Sequence, residues 1–100
     1  MITLPIIDIV SLKEIENQSN VLIIDVRSAD EFEEGHIPLA VNIPLETIPQ
    51  SLKDIATDTQ IVTACGRGGG RSRKALEIIL SQGYNAKWLE GGSLGYLDSL

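Results

Sequence analysis

Short runs of apolar residues alternate with amphipathic stretches along the whole chain. Residues 21–26 (VLIIDV) are apolar except for Asp25, and residues 61–64 (IVTA) form a second run of the same kind. Such runs are typical of strands that are covered on both faces of a parallel sheet. Weaker runs predict three further strands, at residues 6–9, 40–43 and 87–89.

Two Ser-x-x-Glu sequences predict the starts of helices. Ser11 with Glu14, and Ser28 with Glu31, have the spacing of a capping box. In this arrangement a hydroxyl and a carboxylate each bind a free backbone N–H group in the first turn. The helix that begins at Ser28 should be short and end near Gly35.

Three more stretches complete the predicted elements. A proline-flanked turn or helix should cover residues 45–55, a longer helix residues 72–82 with Gly83 at its end, and a terminal helix residues 94–100. Strands that are joined by helical crossovers pair in parallel with right-handed connections. We therefore predict an α/β fold: a three-layer domain, formed by residues 1–100, with a central, mainly parallel sheet of about five strands and helices on both faces.

Composition and charge narrow the possible functions. The net charge of −6 opposes binding to nucleic-acid phosphates and to anionic membranes. No apolar run approaches the roughly 18 residues of a membrane helix, and residues 1–10 lack the features of a signal peptide. A single cysteine and a single histidine permit neither an internal disulfide nor the ligand cluster of a structural zinc site. We expect a cytoplasmic protein whose one thiol serves either packing or chemistry.

The one cysteine opens a glycine-rich loop, 65-CGRGGGRS-72. Cys65 directly follows a predicted strand, and in open parallel sheets ligands bind beyond the carboxyl ends of the strands. Glycine lacks a Cβ atom and permits positive φ, so successive backbone N–H groups of the loop can form a nest for an anion. This pattern favours a loop that is built around a ligand.

The charges of this segment have one sign. No acid occurs among residues 60–76, whereas four basic residues do: Arg67, Arg71, Arg73 and Lys74. A helix N-terminus and neighbouring arginines favour the thiolate form of a cysteine, which is the nucleophilic form. The alternative, an inert buried cysteine beside a flexible turn, leaves the four loop glycines without a purpose. We therefore predict that Cys65 is reactive.

Four other polar residues have two interpretations each. Asp25 and Arg27 stand at the end of a predicted strand, so they either reach the loop or pair with each other and with Glu31. Glu90 either orients hydrogen-bond donors near the site or caps the turn made by residues 91–92. His36, in the sequence GHIP, is interpreted as a residue that stabilises a turn rather than as a base. Trp88, in a predicted strand, is assigned to the core.

Three segments together resemble the single-domain rhodaneses, the thiosulfate sulfurtransferase-like family. They are 25-DVRSADEFEEGHIPLAVNIP-44, 65-CGRGGGRS-72 and 89-LEGG-92. The elements of these segments occur in the order of that family, and the match spans nearly the whole chain. A cysteine between a strand and a helix is also a feature of that family.

The resemblance implies a sulfurtransferase. The Cys65 thiolate would attack the sulfane sulfur of thiosulfate or a related donor, sulfite would leave, and the resulting persulfide would pass its sulfur to a thiol, to cyanide or to an acceptor protein. Arg67 and Arg71 would bind the anionic end of the donor, and no metal or organic cofactor is implied. The substrate-binding loop would consist of Gly66, Arg67, Gly68, Gly69, Gly70, Arg71 and Ser72.

The chain also departs from the family pattern, and two alternatives stay open. Five residues separate Cys65 from Arg71, where many of these sulfurtransferases have four. The longer interval is that of related dual-specificity phosphatases and arsenate reductases, although these usually have histidine where Ala64 stands, and the loop contains no acid to protonate a leaving group. Leu39 replaces a common glycine. The other alternative is a relay or binding module that passes a persulfide to a partner without rapid turnover.

Overall fold

The computed structural model describes residues 4–67 and 69–100, so Gly68 of the predicted loop lies outside the described residues. The strands are β1 Ile6–Ile7, β2 Val21–Asp25, β3 Val41–Asn42, β4 Gln60–Ala64 and β5 Asn85–Leu89. The α-helices are α1 Ile9–Ile15, α2 Ala29–Glu34, α3 Ile48–Ser51, α4 Gly70–Ser81 and α5 Gly92–Asp98, and short 3-10 turns at Leu45–Thr47 and Leu52–Asp54 flank α3. Within the described ranges, no helix is long and apolar enough to cross a membrane.

The five strands form one sheet in the order β1-β5-β4-β2-β3, and every pair is parallel. The strongly apolar strands β2 and β4 lie in the interior of the sheet, while β1 and β3, with two residues each, form its edges. Since all strands run in one direction, their carboxyl ends meet at a single edge of the layer. The predicted α/β class with a parallel sheet is confirmed.

Helices cover both faces of the sheet, as predicted. Along β2 and β4 successive side chains point to opposite faces, so Ile24 and Ile61 pack with α3 and α4, whereas Ile23 and Val62 pack with α1 and α5. The helices contribute Ile48, Leu76 and Ile79 to the first cluster, and Leu12 and Tyr96 to the second. Each fully buried aliphatic side chain stabilises the fold by about 1.5–3 kcal/mol.

The predicted start of α1 is wrong. The helix begins at Ile9 rather than at Ser11, because the carboxylate of Asp8 accepts a hydrogen bond of 2.7 Å from the Ser11 N–H and caps the first turn. This hydrogen bond lowers the pKa of Asp8. Glu14 therefore lies inside the helix and has no part in its cap.

The other helix ends follow the sequence signals more closely. The capping box of Ser28 and Glu31 is present, and Gly83 follows α4 with a φ of 87°. Two helices begin two residues earlier than predicted, α4 at Gly70 and α5 at Gly92, because their first turns contain glycines that carry no apolar periodicity.

Candidate active site

Cys65 lies at the carboxyl end of β4, on the face that α4 covers. It directly follows β4 and belongs to the same buried hydrophobic cluster as Ile61. The two residues are an even number of positions apart, so their side chains point to the same face of the sheet. The side chain is free, and the residue is 3% exposed. The thiol thus lies under the first turn of α4, at the edge of the sheet where parallel strands place their ligands.

Ser72 is the main polar neighbour of the sulfur. Its Oγ lies 3.1 Å from Cys65 Sγ and also 3.1 Å from the carbonyl oxygen of Gly69, which is itself 3.6 Å from the sulfur. The backbone of Ser72 is fixed by Thr63, whose hydroxyl donates to the Ser72 carbonyl at 2.9 Å. Of the predicted loop residues, Ser72 is the one whose side chain contacts the thiol.

Trp88 also takes part in this network, which the sequence interpretation missed. Its indole N–H donates to Ser72 Oγ at 2.7 Å, and the residue is only partly buried. In the sheet, Trp88 of β5 is the register partner of Thr63 of β4, so both point to the α4 face. The alignment of β4 with β5 is the signal that could have revealed this contact.

Two groups of backbone N–H donors surround the loop. At its start, the N–H groups of Ser93 and Leu94, in the first turn of α5, donate to the carbonyl oxygens of Cys65 and Gly66 at 2.6 and 2.8 Å. By contrast, within residues 4–67 and 69–100 the N–H groups of Gly66, Arg67 and Gly69 have no acceptor. The first N–H groups of α4 likewise lack acceptors within the helix. These donors are available to an anion.

The glycines of the loop act differently from the prediction. The sequence interpretation rested on two properties of glycine, its access to positive φ and its missing Cβ atom. Among the described glycines only Gly83, Gly91 and Gly92 have positive φ, so Gly66, Gly69 and Gly70 do not use the first property. A Cβ atom on Gly69 or Gly70 would meet no atom within 4 Å. Both residues line the depression above the thiol, so their lack of a side chain keeps that space open.

The depression in front of Cys65 has a volume of about 530 Å³. It carries three basic side chains and one aliphatic side chain, Leu45, on its wall. Its lining consists of Leu45, Cys65, Gly66, Arg67, Gly69, Gly70, Arg71 and Lys74. Glycine backbone, a thiol and cations are the features of a small-anion site.

Acidic residues from other elements compensate two of these cations. Arg71 forms a bidentate ion pair with Glu31 of α2, at 2.7 and 3.0 Å, and Arg67 pairs with Asp98 of α5 at 2.7 Å. Residues 60–76 contain no acidic residue. In the folded structure, however, acidic residues from other elements lie next to the two arginines. Both pairs are solvent-exposed, and Lys74 contributes a third cation to the wall.

The pair between Arg71 and Glu31 is ionised over a wide pH range. The Arg71 guanidinium, followed by the hydrogen bonds of Ser28, lowers the pKa of Glu31 to about 2. In return, the hydrogen bond to Glu31 is the main cause that raises the pKa of Arg71, and a negative charge on Cys65 acts in the same direction. Glu31 is therefore a carboxylate near neutral pH and has no proton to donate.

Asp25 and Arg27 form a buried ion pair below the loop. Arg27 donates to both carboxylate oxygens of Asp25, at 2.7–3.1 Å, and also to the carbonyl of Gly35. Asp25 further accepts from the Ser93 hydroxyl at 3.0 Å, and the N–H of the same serine holds the Cys65 carbonyl. The pair thus contacts the loop through Ser93, while Glu31 pairs with Arg71 instead.

Glu90 and His36 lie outside the group of polar residues around Cys65. Glu90 is exposed; its backbone N–H donates to Ile7, and its side chain has no hydrogen bond within the described part of the chain. His36 hydrogen-bonds through Nδ1 to the Phe32 carbonyl at 2.8 Å and stacks on the Phe32 ring at 3.7 Å, as expected for a residue that stabilises a turn.

A second depression, of about 550 Å³, lies at the amino ends of β4 and β5. Its wall is mainly apolar and carries Lys87 as its one cation among the described residues. The described residues of its lining include no cysteine, serine or histidine, and it is at the edge of the sheet opposite the loop. The chemistry therefore points to the depression at Cys65.

Comparisons with known proteins agree with this geometry. The family model of the rhodanese-like domain matches residues 8–99. A sulfurtransferase from Allochromatium vinosum is 34% identical over 92 residues, which cover 90% of this chain and 85% of that protein. A rhodanese-like domain protein from Staphylococcus aureus has a similar structure, with a TM-score of 0.82 and 34% identity over 93% of this chain and 91% of its own. A rhodanese-related protein from Thermoplasma volcanium gives a TM-score of 0.84 at 26% identity, over 95% and 92% of the two chains.

Proposed function

Because the chain belongs to the rhodanese-like domain family, we propose that it transfers sulfane sulfur from thiosulfate or a related anionic donor to a thiol or cyanide acceptor through a persulfide on Cys65. The observation that carries this proposal is the position of Cys65 Sγ, at the floor of a depression lined by loop backbone and by basic side chains. The sulfurtransferase from Allochromatium vinosum supports the class of reaction.

The reaction has two displacement steps. In the first, the Cys65 thiolate attacks the outer sulfur of the donor, a sulfur–sulfur bond forms to Cys65, and sulfite leaves with the electron pair of the broken bond. In the second, a nucleophilic acceptor attacks the outer sulfur of the persulfide and releases the thiolate again. Each step exchanges one anion for another, so no oxidant, metal or organic cofactor is needed.

The site supports these steps by stabilising negative charge. The N–H groups of Gly66, Arg67 and Gly69, which have no acceptor among the described residues, and the N-terminus of α4 offer fixed dipoles to a thiolate, a persulfide or the donor anion. Ser72 adds a hydroxyl at 3.1 Å from the sulfur. Arg71 and Lys74 supply full positive charge on the wall, so we assign the binding of the donor anion to them and to the loop backbone.

Hydrolysis of phosphate esters is disfavoured because the acidic residues beside the loop are held in ion pairs with arginines. The departing alkoxide of an ester needs a proton donor. Glu31 is ionised through its pairing with Arg71, and Asp98 is held by Arg67 at the exposed rim. The five-residue interval between Cys65 and Arg71 is the feature that makes a test of phosphate and arsenate worthwhile.

The intact mass of the protein before and after treatment with thiosulfate tests the proposal. A gain of one sulfur atom that cyanide reverses is expected for the native chain, and none is expected for Cys65→Ser. Glu90→Gln, which alters an exposed carboxylate without a side-chain hydrogen bond, is the matched control and should gain sulfur as the native chain does. Sulfur uptake by Cys65→Ser would refute the proposal, and hydrolysis of an aryl phosphate or reduction of arsenate without sulfur uptake would favour the alternative class.

Turnover measurements then separate an enzyme from a sulfur carrier. An enzyme should release thiocyanate from thiosulfate and cyanide through many cycles. A carrier should accept one sulfur per Cys65 and release it efficiently only to a thiol of a partner protein. Both outcomes preserve the persulfide on Cys65, so the mass experiment and the turnover experiment answer different questions.

A further inference from the structure

The hydroxyl of Ser72 is contacted by three groups at the same time. Trp88 Nε1 is 2.7 Å from its oxygen, and both Cys65 Sγ and the Gly69 carbonyl oxygen are 3.1 Å away. A hydroxyl offers one hydrogen and two acceptor lone pairs. All of this hydrogen-bonding capacity is used while Cys65 is a thiol: the Gly69 carbonyl, which only accepts, takes the hydrogen, and Trp88 and the S–H group face the two lone pairs.

The indole N–H determines how this capacity is divided. An indole nitrogen only donates, so Trp88 occupies one lone pair of Ser72 Oγ. Accepting this bond polarises the hydroxyl, which makes its own hydrogen a stronger donor and its oxygen a weaker acceptor for the S–H group of Cys65. When the sulfur carries a negative charge, the serine hydrogen can turn from the Gly69 carbonyl to the sulfur, whereas a thiol needs an acceptor for its own hydrogen. The bond from Trp88 therefore supports a negatively charged sulfur over a neutral one.

We propose that Trp88 is a positioning residue for the Cys65 nucleophile and that it acts through Ser72, by fixing the serine oxygen beside the sulfur and by strengthening the serine hydroxyl as a hydrogen-bond donor to an ionised sulfur. Trp88 belongs to β5 and its register partner Thr63 to β4. The side chain of Thr63 fixes the Ser72 carbonyl, and the side chain of Trp88 fixes the Ser72 hydroxyl. Two neighbouring strands thus hold one residue of α4 by its backbone and by its side chain.

A purely structural role of Trp88 predicts a different behaviour. The ring packs against the core beside α4, so any substitution lowers stability whether or not the N–H group matters. The measured quantity must therefore depend on the sulfur and not on the fold. The charged groups in the surroundings of the thiol remain unchanged by the substitution: Asp25 of β2, Glu31 of α2, Arg67 of the loop, Arg71 and Lys74 of α4, and Asp98 of α5.

The pH profile of Cys65 alkylation by iodoacetamide is such a quantity, because only the thiolate reacts. Trp88→Phe keeps an aromatic ring and removes the donor, and it should move the midpoint of the profile upward by about half a pH unit, a loss of about threefold in rate on the acid side. Tyr84→Phe is the matched control: Tyr84 packs on the same cluster and donates to the Leu52 carbonyl at 2.6 Å, remote from the loop. Its midpoint should equal that of the native chain.

A double substitution tests whether the effect passes through the serine. In a Ser72→Ala background, Trp88→Phe should produce no further shift, since the group that connects the indole to the sulfur is gone. If Trp88→Phe does not fold, benzothienylalanine at position 88 retains the ring system and lacks the N–H donor. An unchanged midpoint in the Trp88 variants, an equal shift in Tyr84→Phe, or a full additional shift in the Ser72→Ala background would overturn the proposal.

The alkylation assay does not require sulfur transfer, so its outcome is independent of the proposed function. The inference rests on the proposed function only where it predicts the kinetics of sulfur transfer. With thiosulfate, Trp88→Phe should lower kcat near neutral pH and leave KM unchanged, because Trp88 is not among the described residues that line the depression. If Trp88→Phe shows no pH shift while sulfur transfer is normal, this inference fails alone. If the expected pH shift is seen but the protein does not transfer sulfur, the proposed function fails alone. The two failures are therefore distinguishable.

Discussion

The buried pair of Asp25 and Arg27 leads to a prediction that can be made quantitative. Arg27→Met keeps an unbranched side chain in place of the apolar stem but removes the guanidinium group. Asp25 would then keep only the hydrogen bonds from the main-chain N–H of residue 27 and from Ser93 Oγ. Its charge would remain in a position that has no exposure to solvent.

The size of the effect follows from this burial. Asp25 is 0% exposed and Arg27 4%, and removing one partner of a buried pair costs about 3–5 kcal/mol. A domain has a free energy of unfolding of about 5–15 kcal/mol, so the variant should fold but lose much of its stability. The melting temperature should fall by more than about 12 °C. Replacing the second charge as well, in Asp25→Asn/Arg27→Met, should restore part of the loss because no buried charge remains.

Urea denaturation followed by circular dichroism measures these free energies. The control is Arg67→Met, the same substitution in a pair whose side chains are both 65% exposed, which should cost at most about 1 kcal/mol. A loss of that small size in Arg27→Met, or a double variant less stable than Arg27→Met, would refute the reasoning. The first result would mean that solvent reaches the pair, and the second that the aspartate has another charged partner.

Two further predictions concern titratable groups. Glu31→Gln keeps the cap of α2 but removes the counter-charge of Arg71. The KM for thiosulfate should therefore fall about two- to threefold at low ionic strength, and the difference from the native chain should vanish in high salt. A difference in KM that persists in high salt would contradict this prediction. Burial, followed by the hydrogen bond to Glu16, raises the pKa of Tyr96 to about 12 from the usual 10.0. The stability that Tyr96 contributes is present below pH 10 and should be lost as the pH rises towards 12, which alkaline unfolding compared with Tyr96→Phe measures; identical alkaline curves for the two proteins would contradict it.

Much of the fold could be predicted because its determinants are local. Continuous apolar runs identify the interior strands β2 and β4, and Ser28 with Glu31 identifies the start of α2. The start of α1 was misplaced because two polar residues compete to cap it, and the carboxylate of Asp8 rather than the hydroxyl of Ser11 makes the bond. Competition between neighbouring caps is decided by backbone geometry, which the sequence spacing alone does not contain.

The parts of the site that are consecutive in the sequence could be predicted, whereas the contacts between different strands and helices could not. Cys65 and Ser72 were found because strand, loop and helix are consecutive. The carboxylate partners of Arg67 and Arg71 come from α5 and α2, and the indole that contacts Ser72 comes from β5. Such contacts depend on strand order and register, and the order β1-β5-β4-β2-β3 brings together segments that are distant along the chain.

The position of Trp88 also makes the protein its own optical probe. The chain contains one tryptophan, so its intrinsic tryptophan emission comes from a single indole ring. That ring donates its N–H to Ser72, whose hydroxyl contacts Cys65 Sγ. The emission of an indole depends on its hydrogen bonding and on nearby quenchers such as sulfur anions. Events at Cys65 can therefore be followed in real time by fluorescence, without attaching a dye to the only thiol.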